Sequence, residues 1–254
     1  MTGQRAGGGP GERPTVTGDR PPGGVGRTTM AVVATTGEVL AHPELHEGLL
    51  APWELRRLAR IRLPDRRDDV VAARLLLRLC VGRFTGRPPR ESDPAQHCAG
   101  CGRYGHGRPY LRGRPGVGVS LSHADGLVAA AVGPGSVGVD VEPSTRRPGP
   151  LSVLRRLLPE AELREATARR DPGAALLRLW VRREAVLKAG QDGDLRLLEW
   201  TDRRRAAMVT VASTAPATTF SVGSEDRFRG PDRGTGSEGW LRRPVQGIGR
   251  LGRV

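Results

Sequence analysis

Residues 117–142 read VGVSLSHADGLVAAAVGPGSVGVDVE. Val117, Val119 and Leu121 alternate with small residues into Ser122-His123. Residues 127–132 are apolar throughout, and 137–141 alternate again. Ala124-Asp125-Gly126 and Gly133-Pro134-Gly135 separate the three runs, so the stretch predicts a β-meander with two tight turns. Helical patterns flank it on both sides, which makes the chain a mixed α/β (α+β) one.

The meander ends in two acids. On a strand, side chains alternate faces, so Asp140 and Glu142 share one face while Val139 and Val141 pack on the other. Paired carboxylates repel, and are tolerated at an exposed strand end or where a hard cation such as Mg²⁺ bridges them. A second acid–base pair follows in residues 179–190, LWVRREAVLKAG. Trp180, Glu184 and Lys188 recur every four residues, so a helix places all three on one stripe with the carboxylate one turn before the ammonium. Lys188 is the only lysine in a chain with 41 basic residues. An ordinary i,i+4 surface pair explains Glu184 and Lys188 on their own; two acidic clusters together favour a site.

Outward from these stretches, residues 30–36 predict a strand with a turn at Gly37. From Pro52 the pattern is helical, with Leu55, Leu58 and Leu63 punctuating Arg56, Arg57, Arg60 and Arg62. A longer helix after Pro64 carries Val70, Val71, Leu75, Leu76, Leu79 and Phe84 on its apolar side, giving an amphipathic hairpin with a solvated basic face. Residues 97–111 (HCAGCGRYGHGRPYL) read as a turn-rich loop: Cys98-x2-Cys101 with flanking histidines is half of a zinc pattern, and no second cysteine pair completes it. Gly107-Arg108-Pro109 would present Arg108 outward. Residues 159–170 predict a further helix, 171–173 break it, and Gly190 is expected as a left-handed cap. Residues 192–194 turn the chain into strands expected over 195–200, 208–212 and 218–222. Residues 1–29 and 225–254 are rich in Gly, Pro and Arg without apolar period and are expected to be disordered.

The chain has 254 residues, 37% of them apolar, enough for one large domain or two small halves with cores of their own. Three cysteines make no disulfide framework and fit a reducing compartment; with no apolar run of 18 and no secretory pattern, the expected location is the cytoplasm. A net charge of +14 suits a phosphate-bearing ligand. Aromatics at 4% leave few platforms for stacking bases, which argues against a polynucleotide.

Together GRPYL (107–111), SLSHADG (120–126), GVDVE (138–142) and WVRREAVLKAG (180–190) resemble, in order and separation, the 4′-phosphopantetheinyl transferases of the Sfp type. The likeness runs from about residue 50 to about residue 200. It implies two similar halves related by a pseudo-twofold, residues 30–135 and 136–224, each a small, mostly antiparallel sheet with packed helices. It implies transfer of phosphopantetheine from coenzyme A to a serine of an acyl or peptidyl carrier protein, with release of adenosine 3′,5′-bisphosphate. By the same resemblance Asp140, Glu142 and Glu184 bind Mg²⁺, and Glu184 also acts as base. Ser122 and His123 contact the coenzyme's phosphates, Arg108 its nucleotide end and Lys188 its pyrophosphate. Ser144 falls where the family has a nucleotide-contacting Thr or Ser, and Arg183 where many members have lysine. Partners so implied are coenzyme A and an apo carrier protein, with no nucleic acid, no membrane and a monomeric chain. Family members finish with a strand returning to the sheet of the second half; no comparable run follows Ser224, so an incomplete second half, cleavable beyond Ser224, is expected. Two other readings share the same features: a basic nucleic-acid-binding protein, and a Mg²⁺-dependent phosphohydrolase.

Overall fold

The computed structural model describes residues 28–190 and 194–223. Disorder is expected over 1–29 and 225–254; residues 1–27 and 225–254, the protease-sensitive end and most of the turn at 192–194 lie outside the described residues, while Thr29 is ordered, buried at the start of the first strand.

In chain order, strand β1 (Thr29–Thr35) leads directly into helix α1 (Thr36–Leu40), followed by α2 (Pro52–Leu58) and α3 (Pro64–Thr85). Next come a hairpin of β2 (Pro94–His97) and β3 (Arg108–Leu111), then β4 (Val117–Ala124), β5 (Leu127–Pro134) and β6 (Val137–Pro143). The rest is α4 (Leu151–Leu157), α5 (Glu160–Thr167), α6 (Pro172–Ala189), β7 (Arg196–Asp202), β8 (Ala207–Ser213) and β9 (Ala217–Thr219). Among the described residues three sheets result, in the orders β4-β5-β1-β9, β2-β3 and β6-β8-β7, and only β9 pairs in parallel, with β1. The chain is thus a mixed α/β fold of small, mostly antiparallel sheets with packed helices.

Period-two alternation gives each sheet two buried faces. Val32, Ala34, Val128, Ala130 and Val132 face α3, while Ala31, Val33, Ala129 and Ala131 face Val137, Val139, Val141, Val209 and Val211 of the other sheet. Alanines on β5 keep that contact thin. The far side of β6-β8-β7 receives α6, where Ala185 and Ala189 meet Ala212, and Val181 meets Met208. The layers therefore run α3, first sheet, second sheet, α6.

The meander is half kept. β4 and β5 form the expected hairpin, with Asp125 and Gly126 at positive φ (45° and 83°) as an Asp-Gly turn requires. β6 leaves that sheet and pairs with β8 instead. It still lies alongside β4 in the same sense, but serine hydroxyls replace the backbone ladder: Val139 N–H donates to Ser120 Oγ at 3.0 Å, and Ser122 Oγ donates to Asp140 Oδ1 at 2.8 Å. This seam joins the two sheets.

Several expectations need correcting. Gly37 lies inside α1, because Thr35 caps it and Glu38 returns the bond in a capping box. The second helix stops at Leu58, so Arg60 and Arg62 lie beyond it. α3 has no single solvated basic face. Its residues from 71 through 82 are all buried, and Arg74 and Arg78 both close on the buried Glu54 of α2. Arg56, Arg57, Arg60 and Arg62 are exposed as expected. Residues 98–107 are the turn of the β2–β3 hairpin, and 108–111 are strand β3, not loop. Residues 171–173 start α6, with Asp171 accepting from Ala174 N–H at 3.1 Å. Gly190 has φ 84° but ψ 166°, so it ends α6 in an extended glycine-only conformation, not a left-handed cap. The chain's last described strand, β9, adds to the sheet of the first half.

Candidate active site at the seam

Lys188 reaches back from the last turn of α6 to the seam. Its Nζ donates to Asp140 Oδ1 at 2.6 Å and to Ser122 Oγ at 2.9 Å, so α6, β6 and β4 meet at one point. α6 lies close enough for this because Gly138 has no side chain: a Cβ there would stand 2.0 Å from Ala185 O. Asp140 is 5% exposed, and its Oδ2 is buried without a hydrogen-bond partner among the described residues. A buried carboxylate oxygen left unpaired is costly unless something else binds it.

Two more acids lie near enough to Asp140 to feel its charge. Glu184, half-buried one turn before Lys188, has its carboxyl pushed up by burial and then by Asp140, against the pull of Lys188 and Arg183. Glu142, at the end of β6, is likewise raised, first by burial, with Arg146 opposing and Asp140 and Asp125 adding to the shift. Arg146 holds Glu142 in an i,i+4 ion pair and reaches Asp125 at 3.3 Å. The three carboxylates do not close to within 4.8 Å as a set. Two of them have turned to a nearby cation, Asp140 to Lys188 and Glu142 to Arg146. These three acids, two with raised pKa values and one with an orphaned oxygen, are hard oxygen donors of the kind Mg²⁺ takes, but as they stand they are not gathered closely enough to share one ion.

The other expected residues divide. Ser122 is in the cluster. His123 is not on the same face: alternation along β4 sends it towards Arg66, Asp69 and Arg74 of α3. Its imidazole is held below the ordinary value, chiefly by desolvation and further by Lys188, Arg66 and Arg74, with Asp69 opposing. Arg108, opening β3, donates to Ala189 O, where a cation meets the carbonyl end of α6 next to Lys188. Arg183 is half-buried with its Nε unpartnered among the described residues. Ser144 donates its backbone N–H to Ala206 O at 2.6 Å and lines, with Thr145, Arg146, Arg147 and the start of α6, a cleft of about 610 Å³ beside Glu142.

Sequence reasoning missed Asp69. Its two oxygens accept from Thr36 Oγ at 2.5 Å and Gly126 N–H at 3.2 Å, fixing the β4–β5 turn next to His123. Its only signal was an acid pair within an arginine run. Arg146 was missed too, though its spacing of four from Glu142 was readable.

Residues 136–228 match the family model of the 4′-phosphopantetheinyl transferase superfamily. That superfamily is a transferase family acting on carrier proteins with coenzyme A as substrate, so the match points to phosphopantetheinyl transfer as the general activity. The matched segment begins just before β6 and contains Asp140, Glu142, Ser144, Arg183, Glu184 and Lys188; Arg108, Ser122 and His123 precede it. No curated protein matches the chain. Among the described residues no helix is long and apolar enough to cross a membrane.

Proposed function

We propose that this chain is an Sfp-type 4′-phosphopantetheinyl transferase that moves phosphopantetheine from coenzyme A to a serine of an apo acyl or peptidyl carrier protein. The observation that carries the reading is the junction of Lys188, Asp140 and Ser122 with Glu184 one helical turn away. In the reaction the serine oxygen bonds to the coenzyme's β-phosphorus, the pyrophosphate P–O bond breaks, and adenosine 3′,5′-bisphosphate leaves with the electron pair. The serine proton must go to a base.

In this reading Glu184 takes that proton, and its carboxyl, raised by burial and by Asp140, supports the role because it is a stronger base than an exposed one. Lys188 neutralises charge on the cleaved pyrophosphate, and its compact ammonium serves two oxygens at once. A Mg²⁺ ion held by Asp140, Glu142 and Glu184 would supply further positive charge at the same phosphates. Arg108, beside Lys188 at the end of α6, and Arg183, His123 and Ser144 would bind the coenzyme's remaining phosphates and nucleotide. The exposed Arg56, Arg57, Arg60 and Arg62 would steer an acidic carrier. The reading brings with it a pseudo-twofold between residues 30–135 and 136–224, a monomer, and a cytoplasmic location.

The test is to incubate the chain with coenzyme A, Mg²⁺ and apo carrier proteins and weigh the carriers. A gain of one phosphopantetheine, dependent on Mg²⁺, is expected. No gain with any of several carriers sinks the proposal. In that case salt-sensitive binding to random DNA would favour the nucleic-acid alternative, and phosphate release from simple esters the phosphohydrolase.

A further inference from the structure

The turn of the β2–β3 hairpin gathers three soft ligands outside the seam. Cys98, Cys101 and His106 place one ligating atom each within 4.8 Å of the other two, and Cys101 Sγ stands 3.1 Å from His106 Nε2. Sulfur and nitrogen ligands around a tetrahedral zinc lie roughly 3.5 Å apart, given bonds of about 2.3 and 2.0 Å, so small side-chain rotations seat an ion.

The backbone is shaped for this. The N–H groups of Cys101 and Gly100 are directed at the Cys98 sulfur, and Gly102 N–H donates to Cys98 O at 2.8 Å, turning the chain tightly under the two thiols. Gly102, Gly105 and Gly107 have φ of 68°, 88° and 84°. At Gly107 a Cβ would lie 2.6 Å from Cys98 Cα, so only glycine lets the segment carrying His106 close over the cysteine turn. Arg57 Nη1 and Gln96 O hold Gly105 from both sides at 2.9 and 3.0 Å. Cys80, by contrast, is fully buried against α3's neighbours, its thiol pushed up by desolvation, and takes no part.

We propose that Cys98, Cys101 and His106 bind one zinc ion, with solvent in the fourth position. Thiolate and imidazole donors select zinc over Mg²⁺, so this site and the oxygen site at the seam do not compete for metal. The ion staples the loop that opens β3, two residues ahead of Arg108. The proposal does not rest on the transferase reading.

The full chain, reduced, loaded with Zn²⁺ and freed of unbound metal, should retain about one equivalent, and Cys101→Ser and His106→Ala should each weaken binding by about tenfold or more. Co²⁺ in place of zinc reads the ligands on the unaltered chain: tetrahedral bands with thiolate charge transfer are expected. Zinc should also slow tryptic cleavage after Arg103, which lies between the ligands. Three results would overturn the site: under about a tenth of an equivalent retained after reduction, Co²⁺ bands without thiolate character, or zinc undiminished in Cys98→Ser/Cys101→Ser. A Cys98–Cys101 disulfide in the isolated protein with no zinc uptake after reduction would do the same.

Discussion

Lys188 is 32% exposed at its side chain while its partner Asp140 is 7% exposed, so the pair is buried on the acid's side. Lys188→Ala would leave Asp140 with Ser122 alone. It should lower unfolding free energy by about 1–3 kcal/mol in urea titration, less than the 3–5 of a fully buried pair because solvent reaches the lysine. Glu184 works in the opposite sense. Its carboxyl, like that of Glu142, is raised, so the folded chain holds the proton more tightly than the unfolded chain. The charged group therefore costs stability at neutral pH, and the cost fades as pH falls through the raised value to the ordinary one near about 4.3. Glu184→Gln should melt higher than the parent at pH 8, with the difference vanishing by about pH 4 in thermal scans. The same variant should lose transfer about 100-fold or more if Glu184 is the base. Mg²⁺ should raise the melting temperature of the parent more than that of the variant. Glu38 and Asp202 have lowered values: at Glu38 the bond from Arg205 leads, with burial opposing it and Thr35 helping, and at Asp202 burial opposes but is outweighed by Arg205. Their contribution is present above the ordinary carboxylate value and lost as pH falls through the lowered one. Asp140, Glu142, Glu184 and Lys188 were legible because strand and helix periods fix which side chains share a face. His123 was not, because the same period puts it opposite Ser122.

Between elements, position depends on what is missing as much as on what is present. Gly138 lets α6 rest on β6, with a hypothetical Cβ 2.0 Å from Ala185 O and 2.4 Å from Ala189 N. Gly138→Ala must push the helix away, which costs about 1–3 kcal/mol of overpacking and separates Lys188 from Asp140. Transfer activity should fall further than stability alone explains, seen as a drop in kcat at temperatures where circular dichroism shows the variant folded. The four-residue spacing of Trp180, Glu184 and Lys188 announced the helix; nothing in GVDVE announced the helix it would carry. α3 shows the reverse failure. Arg74 and Arg78 looked like surface residues in an arginine-rich chain, and only the distant Glu54 shows that they are internal. Ion-pair partners 20 and 24 residues away leave no local period. The meander failed at its third strand for a related reason: alternation predicts a strand and its faces, but not which neighbour supplies its ladder.

Across the whole molecule, the β4-β5-β1-β9 and β6-β8-β7 sheets are interlocked. β6 hands Asp140 to Ser122 of the first sheet, and the chain then returns through β9 to pair with β1, Thr29 matching Ala217. Phe220 N–H donates to Ala31 O at 3.0 Å, and the Arg83 guanidinium lies 4.8 Å over the Phe220 ring. β9 therefore covers the β1 edge of the β4-β5-β1 sheet, and the residues after it carry apolar contacts into the α3 core through Phe220 and Val222. An edge strand so covered is lost to solvent when its partner is removed. A chain ending at Ser213 should lose stability in its first half as well as its second: hydrogen exchange at Ala31 and Val33 should accelerate along with exchange at Val209 and Val211. The intact chain should unfold in one urea transition reported alike by Trp53 in the first half and Trp200 in the second, isolated by replacing the other tryptophans with phenylalanine. Two separated transitions would mean that the seam and β9 do not couple the halves. The Lys188 site, built from both, would then need a different source of rigidity.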